Sequence, residues 1–232
     1  MSCHKQQKSP FIWITSVFML LVTNSCFANA ATPPDDVLKT VADKMISQLN
    51  TQRAELKGKP DKVQALVENV LLPNIDVING SKLVLGKYWQ TANREQKIGF
   101  IKQFRTLLLR FYSSALADYL NNNNEPLDRN MIEFLPTHLE TGRDEITVRS
   151  IIHPKKGEPV PVNYHMHLTR RGWMVYDVSI EGVSVITTYK TSFANEIRQD
   201  GIDKLIASLE ERNAKLITDT DADNPFKTKS KP

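Results

Sequence analysis

Cysteine is almost missing from this chain. Of its 232 residues only two, Cys3 and Cys26, are cysteine, and both fall within the first thirty positions. If that stretch is removed on export, no disulfide can form in what remains, and stability has to come from burial. A segment able to cross a bilayer is also missing: the most apolar stretch, Phe11 to Val22, is about a dozen residues, short of the roughly twenty that a spanning helix needs. There is no GxSxG elbow, no Walker loop and no GxGxxG, so the common hydrolase and nucleotide sites have no support. Charge of one sign is not in great excess, with 30 basic residues against 26 acidic. No basic run carries interleaved aromatics, which argues against nucleic acid as a partner, while the weak positive bias favours anionic lipid surfaces. No internal repeat is visible.

What is present begins with an export signal. Lys5 and Lys8 precede the apolar run, and Ala28-Asn29-Ala30 supplies small residues where a signal peptidase cuts, so residues 1–30 read as a signal peptide. Cys26 raises the alternative of a lipidated anchor, but Thr23-Asn24-Ser25 before it lacks the leucine of a lipobox. Cleavage after Ala30 leaves about two hundred residues, enough for one sizeable core. It also removes Lys5 and Lys8, so the net charge of +4 falls by two.

The richest stretch is Leu83 to Leu120, a short turn feeding a long helix. Thr91 or Asn93 can cap it, and Glu95 sits in the first turn, where its charge suits the helix dipole. Ile98, Ile101, Phe104, Leu108, Phe111, Ala115 and Tyr119 recur at three- and four-residue steps, and Leu107, Tyr112 and Leu116 widen the stripe. So wide a face calls for a broad apolar partner, either a sheet packed across it or a bound hydrophobic molecule.

Helices are expected before it. One starts at Asp35 or Asp36, carries Val37, Leu38, Val41, Met45, Ile46 and Leu49, and is broken at Gly58-Lys59-Pro60. A second runs from Asp61 to about Leu71 and ends at Pro73, with Asn74 to Ser81 as a link. After Asn121–Asn124 the period changes to two. Strands are predicted at Met131–Leu135, Glu145–Ile152, Val160–Thr169 and Trp173–Glu181, joined by short turns into an antiparallel meander. The third places Val160, Val162, Tyr164, Met166 and Leu168 on one face and Asn163, His165 and His167 on the other. The fourth sets Met174, Tyr176, Val178 and Ile180 opposite Val175, Asp177 and Ser179. From Ser184 the helical period returns in two segments separated by Gly201, and after Ile217 the chain is polar and expected to be disordered.

Few constellations carry chemistry. His165 and His167 point the same way from one strand, but two ligands do not make a metal site, and nothing in the sequence brings His138 or His153 to them. A solvated polar face, dispensable for function, is the expectation. Asp177 with Tyr176 and Tyr112 offers an alternative, an isomerase-like enzyme acting on a small molecule within a cone-shaped α+β fold.

The segment GWMVYDVSIEGVSVITTYKTSFANEIRQDGIDKLIASL, from Gly172 to Leu209, resembles the closing section of the MlaC family, also called toluene-tolerance or Tgt-type proteins. LVLGKYW from Leu83, TANREQKIGFIKQFRTLL after it, and LLPNIDV from Leu71 resemble further family segments, in the right order, so the likeness covers nearly all of Ala31 to Leu216. The tail matches no family motif. The resemblance implies an α+β fold: a curved antiparallel sheet of the nuclear-transport-factor-two type, with a helical subdomain enclosing a hydrophobic lipid cavity. It implies no catalysis, no cofactor and no metal, but a soluble periplasmic carrier that shuttles phospholipid and maintains outer-membrane lipid asymmetry. The implied partners are phospholipid, an inner-membrane Mla ABC transporter complex and an outer-membrane complex of the lipoprotein MlaA with a porin.

Physical chemistry fits that reading. Two acyl tails hold about thirty methylenes, and at roughly 0.8 kcal/mol each their exposure would cost upward of 20 kcal/mol, so a carrier has to enclose them. The expected lining is Tyr88, Phe104, Leu108, Phe111 and Tyr112 on the helical side and Val148, Tyr164, Met166, Val178, Ile180 and Val183 on the strand side. The chain thus divides into a signal peptide at 1–30, a lipid-binding domain at 31–217 and a tail at 218–232.

Cleavage after Ala30 has a direct readout. The exported protein should show the intact mass of a chain starting at Ala31, and it should melt at the same temperature with and without reductant. A mass carrying an acylated Cys26 would contradict this.

Overall fold

The computed structural model describes residues 32–138, 140, 142–155 and 157–215. The expected signal peptide and the tail at 218–232 lie outside the described residues.

The first half is helical. Helix α1 (Pro34–Thr51) opens with proline at its first position and Asp35 and Asp36 in its first turn, both favourable at a helix start. A short α2 (Arg53–Leu56) precedes the break at Gly58, and α3 (Pro60–Val70) buries Val63, Leu66, Val67 and Val70. The segment expected to be a link is in fact a helix, α4 (Val77–Leu85), which buries Gly80, Ser81, Val84 and Leu85. Its sequence hides this, because two small residues stand where a stripe would carry large ones. Gly80 lets β4 approach closely: a Cβ there would lie a tight 3.3 Å from the Tyr176 carbonyl oxygen, so one of the two would have to shift slightly.

After a helical turn, α5 (Tyr88–Thr91), comes α6 (Arg94–Asn122), 29 residues long. Of the two candidate caps Asn93 is used: its side chain accepts from the Gln96 N–H at 2.8 Å, and the Gln96 side chain accepts from the Asn93 N–H at 3.0 Å. The single stripe expected along α6 does not hold. Ile98 is 57% exposed and Ala115 is exposed, whereas Phe100, Phe104 and Leu107 are buried toward one end and Leu109, Ala117 and Leu120 toward the other. The two ends serve different partners. Phe100, Phe104 and Leu107 join Val84, Tyr189, Phe193, Leu205 and Leu209, in a cluster where four aromatic rings lie 5.3 to 6.3 Å apart. Leu109, Ala117 and Leu120 join Ile46, Leu49, Leu56, Val63 and Val67.

The second half is the sheet and two closing helices. Strands β1 (Ile132–Phe134), β2 (Glu145–Ile152), β3 (Val160–Thr169), β4 (Gly172–Ile180) and β5 (Val183–Ser184) pair in that order as an open antiparallel meander. The strand β5 was not expected; Glu181 and Gly182, both at positive φ, turn β4 back into it. Helices α7 (Val185–Asp200) and α8 (Ile202–Ala214) follow, separated at Gly201.

The expected facing of β4 also fails, for a local reason. Between β3 and β4 the register runs Tyr164 to Val178 and His165 to Asp177, then jumps, pairing Met166 with Val175. This β-bulge inserts one residue and inverts the alternation. Trp173 and Val175 therefore join Val148, Met166 and Leu38 in a third cluster, with Val178 packed against it. Tyr176 instead lies beside the rings of His165 and His167, at 6.2 and 5.5 Å.

Nor are those histidines a simple solvated face. The His165 ring nitrogens lie 3.1 Å from Thr147 Oγ1 and 3.2 Å from Ser179 Oγ. His167 Nε2 is 2.9 Å from Asp76 Oδ2, while Asp76 Oδ1 accepts from the Asn79 N–H at 2.9 Å and caps α4. The Asp76 N–H donates to the Val175 carbonyl at 2.8 Å, so one residue joins the start of α4 to both β3 and β4. Asp76→Ala should lower unfolding stability in urea by about 1 to 3 kcal/mol through loss of the cap and the pair. Asp76→Asn keeps a capping oxygen and should lose clearly less. Equal losses for the two variants would show that the cap contributes nothing.

Candidate functional site: an apolar cavity between the long helix and the sheet

Where the three clusters meet, the packing leaves a cavity of about 50 Å³. Helix α6 contributes Phe104, Leu108 and Tyr112 to its wall, and β4 contributes Val175 to Val178. Ile75, Asp76, Val77 and Gly80 close it from α4 and the turn before it, and Val185 and Ile186 from the start of α7.

Of the residues expected to form a lining, the structure brings Phe104, Leu108, Tyr112 and Val178 around this cavity. Val148 and Met166 are fully buried in the sheet's own cluster, and Tyr164 lies at its edge with its ring 6.3 Å from that of Phe134. Phe111 packs against Tyr112 at 5.4 Å. Tyr88 stands on α5, half-buried under the Lys87 ammonium at 5.2 Å. Ile180 pairs with Val162 and Val183 at the far end of β4, and Val183 lines a separate open groove with Ser184 and Thr187, away from the cavity. The lining residues that the sequence pattern does not indicate are Ile75, Asp76, Val77 and Gly80, in and before a helix without a large apolar stripe, Val175 to Asp177 on the bulged strand, and Val185 and Ile186 at the start of α7.

The polar groups at this cavity are committed to structure. Asp177 Oδ1 accepts from the N–H groups of Val178 at 2.8 Å and Ile186 at 3.0 Å, and Oδ2 accepts from the Ser184 hydroxyl at 2.6 Å. Ser184 Oγ in turn accepts from the Thr187 N–H at 3.0 Å, so the carboxylate and hydroxyl together cap α7. A carboxylate already holding three donors in this way is poorly placed as the base of the isomerase-like alternative. Burial pushes the Tyr112 phenol well above its ordinary range, with the Asp177 charge and Tyr164 adding to the shift. Burial raises Tyr164 as well. Both are neutral hydroxyls at ordinary pH, and both side chains are half-buried.

The remaining histidines do not converge. His153 pairs with Glu133 at 2.9 Å, and His138 shares an open polar groove with Glu140 and Arg143. Among the described residues no group of three His, Cys, Asp or Glu side chains is placed to hold a metal ion, and no helix is long and apolar enough to cross a membrane.

Comparison with known proteins now decides the family. The profile of the MlaC protein family matches residues 39–211, well over half of the chain. The chain belongs to the MlaC family. It is 26% identical over 217 residues to the intermembrane phospholipid transport system binding protein MlaC of Haemophilus influenzae, across 91% of this chain and 96% of that protein. It is 25% identical over 188 residues to the toluene tolerance protein ttg2D of Pseudomonas putida, across 81% and 83% of the two chains. A solved structure from Ralstonia solanacearum, described as a phospholipid-binding protein in complex with a phospholipid, superposes with a TM-score of 0.69 at 28% identity, covering 79% of this chain and 98% of that one. The mixed fold with an open five-stranded antiparallel sheet is thus that of an MlaC protein.

The tyrosines set an alkaline limit on stability. In the unfolded chain their phenols ionise from about pH 10, whereas the folded chain holds Tyr112 and Tyr164 neutral to higher pH. Stability should be full below about pH 10 and fall as pH rises toward the folded-state values. Urea midpoints measured across that range should decline less steeply in Tyr112→Phe than in the parent. Parallel declines would mean that the Tyr112 phenol is hydrated in the fold.

Proposed function

We propose that this chain carries phospholipid between membranes, enclosing the acyl tails between α6 and the sheet and leaving the headgroup near water. The carrying observation is the phospholipid complex of the Ralstonia solanacearum relative, whose fold this chain shares along nearly its whole described length. The apolar cavity lies where such tails would need a wall, and Phe104, Leu108, Tyr112 and Val178, with Val175 and Val185, are proposed to touch them. At about 50 Å³ the cavity is well below the 300 to 1,000 Å³ of typical ligand pockets, so loading requires the sheet and α6 to move apart.

The packing supports a parting at that seam. The helical clusters at the two ends of α6 and the cluster of the sheet, which Leu38 of α1 joins, meet through half-buried residues such as Leu108, Tyr112, Tyr164 and Val178. Separation there moves mainly half-buried side chains, and an acyl chain replaces one apolar contact with another. The protein so read acts by binding rather than catalysis. It works in the periplasm after signal removal, with an inner-membrane ABC transporter and an outer-membrane lipoprotein–porin complex as its partners.

Organic extraction of the purified native protein should release about one phospholipid per chain. Leu108→Asp sets a carboxylate in the lining, where an ion disfavours neighbouring acyl chains but can be hydrated once they leave. It should keep its helical circular dichroism and yield no lipid. Leu209→Asp, in a filled core where Leu209 is 0% exposed, should fail to fold. A native protein without extractable phospholipid, or a folded Leu108→Asp with a full complement, would overturn the reading.

A further inference from the structure

We propose that the outer face of α4 and the first half of α6 is a docking surface for an anionic bilayer, separate from the lipid cavity. Four large aliphatic side chains are exposed among the described residues, and three of them, Ile78 at 61%, Leu83 at 37% and Ile98 at 57%, lie between positions 78 and 98. The same stretch concentrates charge. Residues 77–105 hold Lys82, Lys87, Arg94, Lys97, Lys102 and Arg105 against one acid, Glu95, a surplus of five in a chain whose whole net charge is +4. The rest of the protein is therefore slightly acidic, and the cations are gathered rather than spread.

Geometry puts both kinds of side chain on one face. Arg94, Ile98, Ile101, Lys102 and Arg105 follow at steps of four, three, one and three along α6, opposite the buried Phe100, Phe104 and Leu107. Ile101, Arg105 and Arg171 line an open groove with Ile78 of α4, and the two carboxylates of that groove, Glu68 and Asp76, are taken up by Arg105 and His167. Lys97 lies 5.5 Å over the ring of Trp89, which adds a half-buried indole to the same region. Arg105 is paired with Glu68. Lys82, Arg94, Lys97 and Lys102 have no carboxylate within salt-bridge distance among the described residues.

Exposed isoleucines cost solvation and repay it only when covered, which is why such groups are sparse elsewhere on this surface. Ringed by cations and one tryptophan, they match the interfacial zone of a bilayer. There apolar side chains enter the acyl boundary, an indole sits at headgroup depth, and lysines and arginines meet lipid phosphates. Charge complementarity selects an anionic surface.

This docking does not depend on whether the cavity carries lipid, so it is tested with loaded and delipidated protein alike. The signal-cleaved protein should co-float with phosphatidylglycerol vesicles at low salt and not with pure phosphatidylcholine vesicles. Binding should be lost when salt approaches 1 M, where the Debye length is about 3 Å. With Trp173 at 4% exposure, the emission shift on binding should come from Trp89 and vanish in Trp89→Phe while flotation persists. Lys97→Gln with Lys102→Gln should weaken binding about thirtyfold, the worth of two surface cations. Ile78→Asp with Ile98→Asp should weaken it about tenfold or more. All of these positions are exposed or half-exposed and outside the cavity wall, so extractable phospholipid should be unchanged. The proposal is overturned if the parent fails to float with anionic vesicles at low salt, in which case an acidic protein is the better occupant of the patch. It is also overturned if both double variants bind as tightly as the parent.

Discussion

The length of α6 is the constraint around which the rest of the molecule is arranged. At 1.5 Å per residue its 29 residues span about 43 Å, more than one small cluster of side chains can cover. Its beginning completes the aromatic cluster of α4, α7 and α8, and its end completes the cluster of α1, α2 and α3. Between them Leu108 and Tyr112 line the cavity whose other wall is β4, and the sheet's cluster is completed by Leu38 of α1. The three clusters meet beside this helix, and the cavity lies at their meeting line. The wall there is apolar, as the proposed acyl-chain site requires.

Directional bonds are placed at the rim of that seam. Asp76 caps α4 and meets His167 and the Val175 carbonyl, and Asp177 with Ser184 caps α7. Each carboxylate takes up N–H groups that a helix start would otherwise leave unpaired, and each does so next to the cavity. Inside, contacts are almost wholly non-directional. Such a division lets the contents of the cavity change without stranding a buried donor, which costs far more than a lost methylene contact.

Helices α4 and α6 also differ sharply between their two faces. Gly80, Phe104 and Leu108 look inward, while Ile78, Ile98, Lys97 and Lys102 look outward within one or two turns of them. Because the outward residues contribute little to burial, their composition is free of the demands of folding. An apolar and basic surface there has to be explained by what it meets.

Much of this protein was determined by local sequence. The two-residue period placed β2 and β3 with the bounds observed, the break at Gly58 to Pro60 fell between α2 and α3 as expected although the first helix already stops at Thr51, and Ser184 and Gly201 bounded the closing helices. Family segments such as LGKYW and YDVSIEGVS, ninety residues apart, were enough to indicate the fold class. Tertiary structure alone decided the rest. Helix α4 escaped notice because its buried face is built from Gly80 and Ser81, small enough for a strand to lie against it, and small residues leave no apolar stripe. The inward turn of Val175 follows from a single inserted residue, visible only as a break in pairing with β3. The role of Asp76 rests on a histidine 91 positions away. The cavity wall is a set of such long-range choices, whereas the elements that carry it are local ones, and periodicity reports only the second.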